Sequence, residues 1–156
     1  MKKRILAVVL AVLALGLCLC SCKGSEGKTP ATADVAAAIN NSGEFQELIA
    51  LTEDNISRRY YGIDLEAIEE FEVLVCSSGA MADEIAVFKM KEKDDVEDMR
   101  EVVLERKQEL YDSFVDYVPT EISKIENAII SSNGNYVYFI VCKDRDAAKK
   151  AAESCF

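Results

Sequence analysis

Two adjacent acids, Asp83 and Glu84, stand where a serine–glycine loop meets an apolar segment, and they are the residues most suited to chemistry. Carboxylates at a loop mouth could bind a cation or another ligand, but the spaced acids and central glycine of an EF-hand calcium loop are missing. The simpler interpretation is a solvated strand end. The loop has no evident structural role, so its candidate ligand or partner contacts are Ser78, Gly79 and Asp83. No metal is predicted.

The chain contains no histidine, so it lacks the commonest general base near neutral pH and the commonest transition-metal ligand. Ser77 and Ser78 consequently have no histidine to activate them, and no local motif supports a serine–lysine arrangement. Two carboxylates can suffice for glycan hydrolysis, which keeps an enzyme of that class as an alternative. The sequence predicts no catalytic set and no cofactor.

Arg106 lies at the edge of an apolar helical stripe. At about 100° per residue, it is about 40° from Leu110 around the helix. A guanidinium at that position either reaches water or meets an acid. Glu84, on the strand that this helix follows, is the predicted partner, because an unpaired charge there would be costly. We interpret the pair as structural.

Tyr136 and Tyr138 share one face of the last predicted strand with Ile140. If exposed, they would form an aromatic contact patch for a protein or glycan. If packed under the amino-terminal helices, they would be core. The strands carry apolar residues on both faces, which favours the core interpretation; an uncovered second face would be a binding or dimerisation surface.

Four strands are predicted, in two hairpins. Residues 71–76 and 84–91 are dense in apolar and β-branched side chains and form the first pair. Residues 128–132 and 136–142 form the second pair. They flank Asn133-Gly134-Asn135, and Asn-Gly between apolar runs is a strong hairpin signal.

Helices are predicted before, between and after these hairpins. Short helical pieces over residues 32–62 form a preface to the first strand. Asp94 predicts the start of a long helix that ends near Val115, and Asp144 or Asp146 opens a closing helix. The predicted fold is therefore α+β: a four-stranded antiparallel sheet (hairpin-helix, hairpin-helix) with one long packed helix and a helical amino-terminal preface.

The first 22 residues predict export. A basic start over residues 1–4 precedes an apolar run over residues 5–19 that is too short for a comfortable membrane-spanning helix. Ser21 directly precedes Cys22, and Leu19 lies three residues before it, a pattern that resembles a bacterial lipobox. Cys22 is therefore the predicted lipidation site, with an uncleaved amino-terminal anchor as the alternative.

The predicted organisation is a lipoprotein signal peptide over residues 1–21, a flexible tether over residues 22–32 and a single globular α+β domain over residues 33–156. The tether is rich in glycine, serine, lysine and proline and cannot bury enough surface to order itself. Two acyl chains on Cys22 would hold the domain at the outer face of the cell membrane.

The charge of the chain limits its partners. Its 156 residues carry a formal charge of −10, and without residues 1–21 it would have 15 basic and 28 acidic residues, a charge of −13. Such a surface repels nucleic acid and anionic lipid headgroups and argues against both.

Three cysteines lie in the body of the chain, and they permit at most one internal disulfide. Cys76 and Cys142 both end predicted strands, so they could meet if those strands are neighbours. Spacing alone leaves that pairing open.

Three segments together resemble a known family. They are residues 78–88 (Ser-Gly-Ala-Met-Ala-Asp-Glu-Ile-Ala-Val-Phe), 117–119 (Tyr-Val-Pro) and 133–137 (Asn-Gly-Asn-Tyr-Val). Behind a lipobox, they are similar to the domain-of-unknown-function 4358 family, exported lipoproteins of Gram-positive bacteria. The resemblance covers most of residues 35–150. It implies export and a single domain, and it brings no activity, cofactor or catalytic residue.

These observations predict a lipid-anchored extracytoplasmic domain that binds an unknown protein or envelope component without catalysis. A carboxylate-based cell-envelope hydrolase and a structural envelope lipoprotein are the alternatives. A deep pocket with two facing carboxyl groups would favour the hydrolase.

Overall fold

The computed structural model describes residues 29–156. The predicted signal peptide, Cys22 and most of the predicted tether lie outside these residues. The helices are α1 (Thr32–Asn40), α2 (Glu53–Arg59), α3 (Val96–Phe114), α4 (Ile122–Glu126) and α5 (Arg145–Ser154). The strands are β1 (Leu48–Ala50), β2 (Ile68–Cys76), β3 (Glu84–Met90), β4 (Ile129–Asn133) and β5 (Tyr136–Val141). Within this part of the chain, no helix combines the length and apolarity needed to cross a membrane.

The strands form one antiparallel sheet in the order β1-β2-β3-β5-β4. This confirms the α+β class, but the prediction of four strands was wrong by one. The missed strand is β1, which was interpreted as helical and instead pairs Leu48 with Cys76 and Ala50 with Leu74. Three residues are too few to display an alternating pattern, and β1 is extended because it lies against the edge of β2.

Helices cover both faces of the sheet. Along β3, Ala86, Phe88 and Met90 face α2, α3 and α4, whereas Ile85 and Val87 face α1 and α5. This alternation follows from the two-residue period of a strand, and it makes β3 apolar on both sides. The sheet therefore separates two apolar cores.

Tyr136 and Tyr138 lie in the core beneath α1 and α5, each with 2% of its surface exposed. Both rings contact Phe156, and the Tyr136 hydroxyl donates to the Pro30 carbonyl at 2.7 Å. Both therefore belong to the core, which is the interpretation that the sequence favoured. The other option, an exposed contact for a partner, was wrong, because the amino- and carboxyl-terminal helices close this face.

The predicted turn at Gly134 and the predicted cap at Asp144 are present in the structure, whereas the predicted cap at Asp94 is not. Gly134 has φ 59° in the turn between β4 and β5, where Asn-Gly predicted a hairpin. The Asp144 side chain accepts from Ala147 N at 3.0 Å and caps α5 as expected. The cap predicted at Asp94 is absent: a 3₁₀ turn over Lys93–Asp95 leads into α3, and no side-chain hydrogen bond caps that helix. The preceding turn, rather than a side chain, sets the start of α3.

Candidate functional site

An open cleft of about 620 Å³ lies where α2, the loop before β3 and the carboxyl-terminal half of α3 meet. The loop places Ser78 and Gly79 in its wall, two of the residues that the sequence selected as ligand contacts. The polar groups around the opening include Asn55 and Arg58 from α2, Ser78 from the loop, and Arg106, Glu109 and Ser113 from α3.

Glu84 forms part of the cleft wall and is only 1% exposed. Arg106 donates from Nη2 to Glu84 Oε2 at 2.7 Å and from Nε to Oε1 at 3.2 Å. Tyr60 donates its hydroxyl to Oε1 at 2.6 Å, and Arg59 Nη1 lies 3.6 Å from Oε2. The predicted partners Glu84 and Arg106 are therefore in direct bidentate contact.

Burial and charge fix the protonation of the groups around Glu84. Burial alone would lower the pKa of Arg106, but the negative charge and hydrogen bonds of Glu84 raise it above its ordinary value. Burial raises the pKa of Tyr60 well above its ordinary value, and the adjacent Glu84 charge raises it further. Arg106 therefore stays charged and Tyr60 keeps its proton, so both remain donors to Glu84.

A second ion cluster lies beside the first, at Asp83. Lys124 Nζ lies 2.8 Å from Asp83 Oδ1 and 2.7 Å from Glu121 Oε2. Glu121 Oε2 also accepts from the backbone N–H of Ala82 at 2.9 Å. Asp83 is 3% exposed, so its interpretation as a solvated strand end was wrong. It joins the end of the loop to α4.

Lys124 and Glu121 are the residues that sequence reasoning missed. Glu121 ends the 3₁₀ turn that precedes α4, and Lys124 lies three positions later on that helix. This spacing places opposite charges side by side, and this local signal could have identified the pair. Burial would lower the pKa of Lys124, but hydrogen bonds to Asp83 and Glu121 raise it above its ordinary value. The ammonium therefore remains charged between two carboxylates.

The loop before β3 is held at both ends and open in its middle. Cys76 N–H donates to the Asp83 carbonyl at 2.9 Å, and Ser77 N–H donates to the Glu47 carbonyl at 3.3 Å. Ser78 Oγ accepts from Ala80 N at 3.3 Å, which is a local turn contact. A Cβ added at Gly79 would meet nothing within 4 Å. Position 79 therefore faces open space beside the cleft.

The carboxylates of the cleft are poorly arranged for hydrolysis. Asp83 and Glu84 are engaged by Lys124 and Arg106, and Glu109 Oε2 lies 3.5 Å from Arg106 Nη1. A two-carboxylate hydrolase needs one carboxyl group that donates a proton and a second that acts as base or nucleophile. Each of these three acids instead neutralises a basic side chain.

Cys76 and Cys142 are free thiols. Cys76 is the last residue of β2 and Cys142 directly follows β5. Strand β3 lies between those strands, so the sheet order keeps the two residues apart. Burial raises the pKa of the Cys142 thiol from 9.0 to about 12, and the charges of Asp83 and Asp144 add to the shift. The neutral thiol is therefore the form that the fold accommodates.

Cys142 should make the folded chain sensitive to alkali. The thiol pKa is higher in the folded chain than in the unfolded chain. The stability that the protonated thiol contributes is therefore fully present below pH 9.0 and is lost as the pH rises towards 12. The expected loss is roughly 1 kcal/mol of unfolding free energy per pH unit. Urea denaturation at about pH 7 and about pH 10 should show a smaller decline for Cys142→Ala than for the wild type. Equal declines would contradict this assignment.

The family of the chain is shown by comparison with family models. The model described as domain of unknown function (DUF4358) matches residues 41–142. No match was found among curated proteins or among solved structures. The matched segment contains all five strands, the Glu84–Arg106 pair and the Lys124 cluster, so it includes the complete sheet and the cleft. Because the match spans most of the chain, the protein belongs to the DUF4358 family, a domain of unknown function.

Proposed function

We propose that this protein is a lipid-anchored extracytoplasmic binding domain that presents its cleft to a partner in the cell envelope. The cleft itself carries the proposal. Its inner charges, Glu84 and Asp83, are fixed by internal partners, whereas Arg58 and Gly79 face open space at its mouth. Preformed concave sites with a few oriented polar groups are the usual form of ligand sites.

The proposed location at the membrane rests on the sequence that precedes the described residues. Cys22 lies ten residues before Thr32, where α1 begins. Even a fully extended segment of that length spans at most about 35 Å, so a lipid on Cys22 would keep the domain close to the bilayer. The acidic surface is repelled by anionic headgroups, which favours contact with an envelope component over contact with the lipid surface.

The anchor can be tested by metabolic labelling with a fatty-acid probe in the native host. The wild type and Cys20→Ala should incorporate the probe, because Cys22 is the residue preceded by the small Ser21. Cys22→Ala should remain unlabelled. Equal labelling of the wild type and Cys22→Ala would refute the anchor.

The cleft can be tested by photo-crosslinking of the full chain in intact cells. A benzophenone amino acid at position 79 has room, because nothing lies within 4 Å of a Cβ there. The matched control carries the same group at the exposed Lys150 on α5, across the sheet from the cleft. A discrete adduct should form from position 79 and not from position 150. Identical adduct patterns, or none from position 79, would contradict a binding role for the cleft.

A further inference from the structure

The basic groups of the cleft are incompletely neutralised on the α2 side. Arg58 and Arg59 both line the cleft from the last turn of α2. The Arg58 side chain is exposed, and within residues 29–156 it has no hydrogen bond or ion pair. Arg59 is 37% exposed, and its ion pair is the 3.6 Å contact with Glu84. Of these two guanidinium groups, Arg59 therefore has one distant carboxylate as a partner and Arg58 has none among the described residues.

Glu84 has little capacity left to neutralise them. Its Oε1 already accepts from Tyr60 and Arg106, and its Oε2 accepts from Arg106 at 2.7 Å. Glu109 lies beside Arg106 at 3.5 Å. The acids in this part of the cleft are thus matched to Arg106, and the outer nitrogens of Arg58 and Arg59 are available to an anion.

Apolar side chains line the same cleft as these arginines. Leu51, Val75, Met81, Leu110 and Phe114 line the same cleft. Met81 is 37% exposed and is therefore accessible, whereas Leu110 and Phe114 present only small parts of their surface. A ligand with a charged end and a short apolar body would match both sides of the cleft.

We infer that the cleft binds an organic carboxylate, with the carboxylate at Arg58 and Arg59 and an adjacent apolar group against the Met81 side. This inference rests on the proposed binding function and names the ligand class for the same site. Guanidinium and carboxylate are both planar and pair through two parallel hydrogen bonds. The chain has a formal charge of −10, and a singly charged carboxylate is repelled less by it than a doubly charged phosphate.

The test is an NMR titration of the full chain in lipid nanodiscs with ¹⁵N-labelled arginine. Hexanoate is the probe. The controls are hexanol, which has the apolar chain without the charge, and inorganic phosphate, which has a charge without the chain. Hexanoate should shift the Nε–Hε signals of Arg58 and Arg59 saturably, with weaker effects from the other two compounds. Arg58→Gln should weaken hexanoate binding roughly fivefold to tenfold through loss of a charge-assisted hydrogen bond.

The matched control is Arg100→Gln. Arg100 lies on α3 outside the cleft and pairs with Glu97 on the surface, so its loss should leave hexanoate affinity unchanged. Equal responses to hexanol and hexanoate, phosphate binding as tight as hexanoate binding, or no saturable shift would each overturn the inference. A position-79 adduct without a hexanoate response would reject the ligand class and retain the binding function; the absence of both would reject both.

Discussion

Arg106→Met should lower the free energy of unfolding by about 3–5 kcal/mol, because it leaves the buried Glu84 carboxylate without its main partner. Arg106 is 8% exposed and Glu84 is 1% exposed, so the charged contacts that are lost are buried ones. Tyr60 and the distant Arg59 remain beside Glu84, but neither supplies a bidentate charged contact. Urea denaturation measures the change.

A double-mutant cycle separates the ion pair from the packing of the arginine stem. In a Glu84→Gln background, Arg106→Met should destabilise less, because no buried anion is left unpaired. Arg100→Met provides the surface control and should change stability little, since its ion pair with Glu97 is solvent-exposed. Additive effects of Glu84→Gln and Arg106→Met on the free energy of unfolding would show that Glu84 and Arg106 are not energetically coupled.

Lys124→Met should cost about 3 kcal/mol, because it removes the cation that lies between two buried carboxylates. Asp83 and Glu121 are 3% and 8% exposed, and each lies within 2.8 Å of the Lys124 ammonium. Without that ammonium, both acids would remain buried with reduced compensation. The loop end at Ala82 should also loosen, because its N–H donates to Glu121.

Lys143→Met is the matched control for the Lys124 substitution. Lys143 pairs with one acid, Glu44, and both side chains are largely exposed. Its loss should leave the denaturation midpoint nearly unchanged. Hydrogen exchange at the Ala82 amide should accelerate in Lys124→Met and not in Lys143→Met. A midpoint and an Ala82 exchange rate equal to those of the wild type would contradict the role assigned to Lys124.

Local sequence patterns predicted a contact or a turn correctly where the residues belong to one element or to a strand and the helix that follows it. The apolar stripe of α3 located Arg106 at the stripe edge, and strand alternation in β3 placed Glu84 towards that helix. The Asn-Gly turn located the hairpin of β4 and β5. These features depend on short-range periodicity, which a single sequence displays directly.

Features formed between distant segments could not be predicted in this way. Asp83 and Lys124 are 41 residues apart, and nothing near Asp83 indicates that α4 packs beside it. The strand β1 is defined by its pairing with β2 and has too few residues for a pattern of its own. The cleft itself depends on how α2 and α3 lie relative to the loop, which periodicity does not specify.

A side chain that blocks the cleft should abolish the position-79 crosslink in intact cells. Ser113 is exposed on α3 and lines the cleft, so Ser113→Trp should fill it without burying a polar group. Asp112→Trp places the same ring on the adjacent exposed position outside the cleft lining. If the cleft binds a partner, Ser113→Trp removes the adduct and Asp112→Trp retains it. An adduct of undiminished yield from Ser113→Trp would contradict a binding role for the cleft.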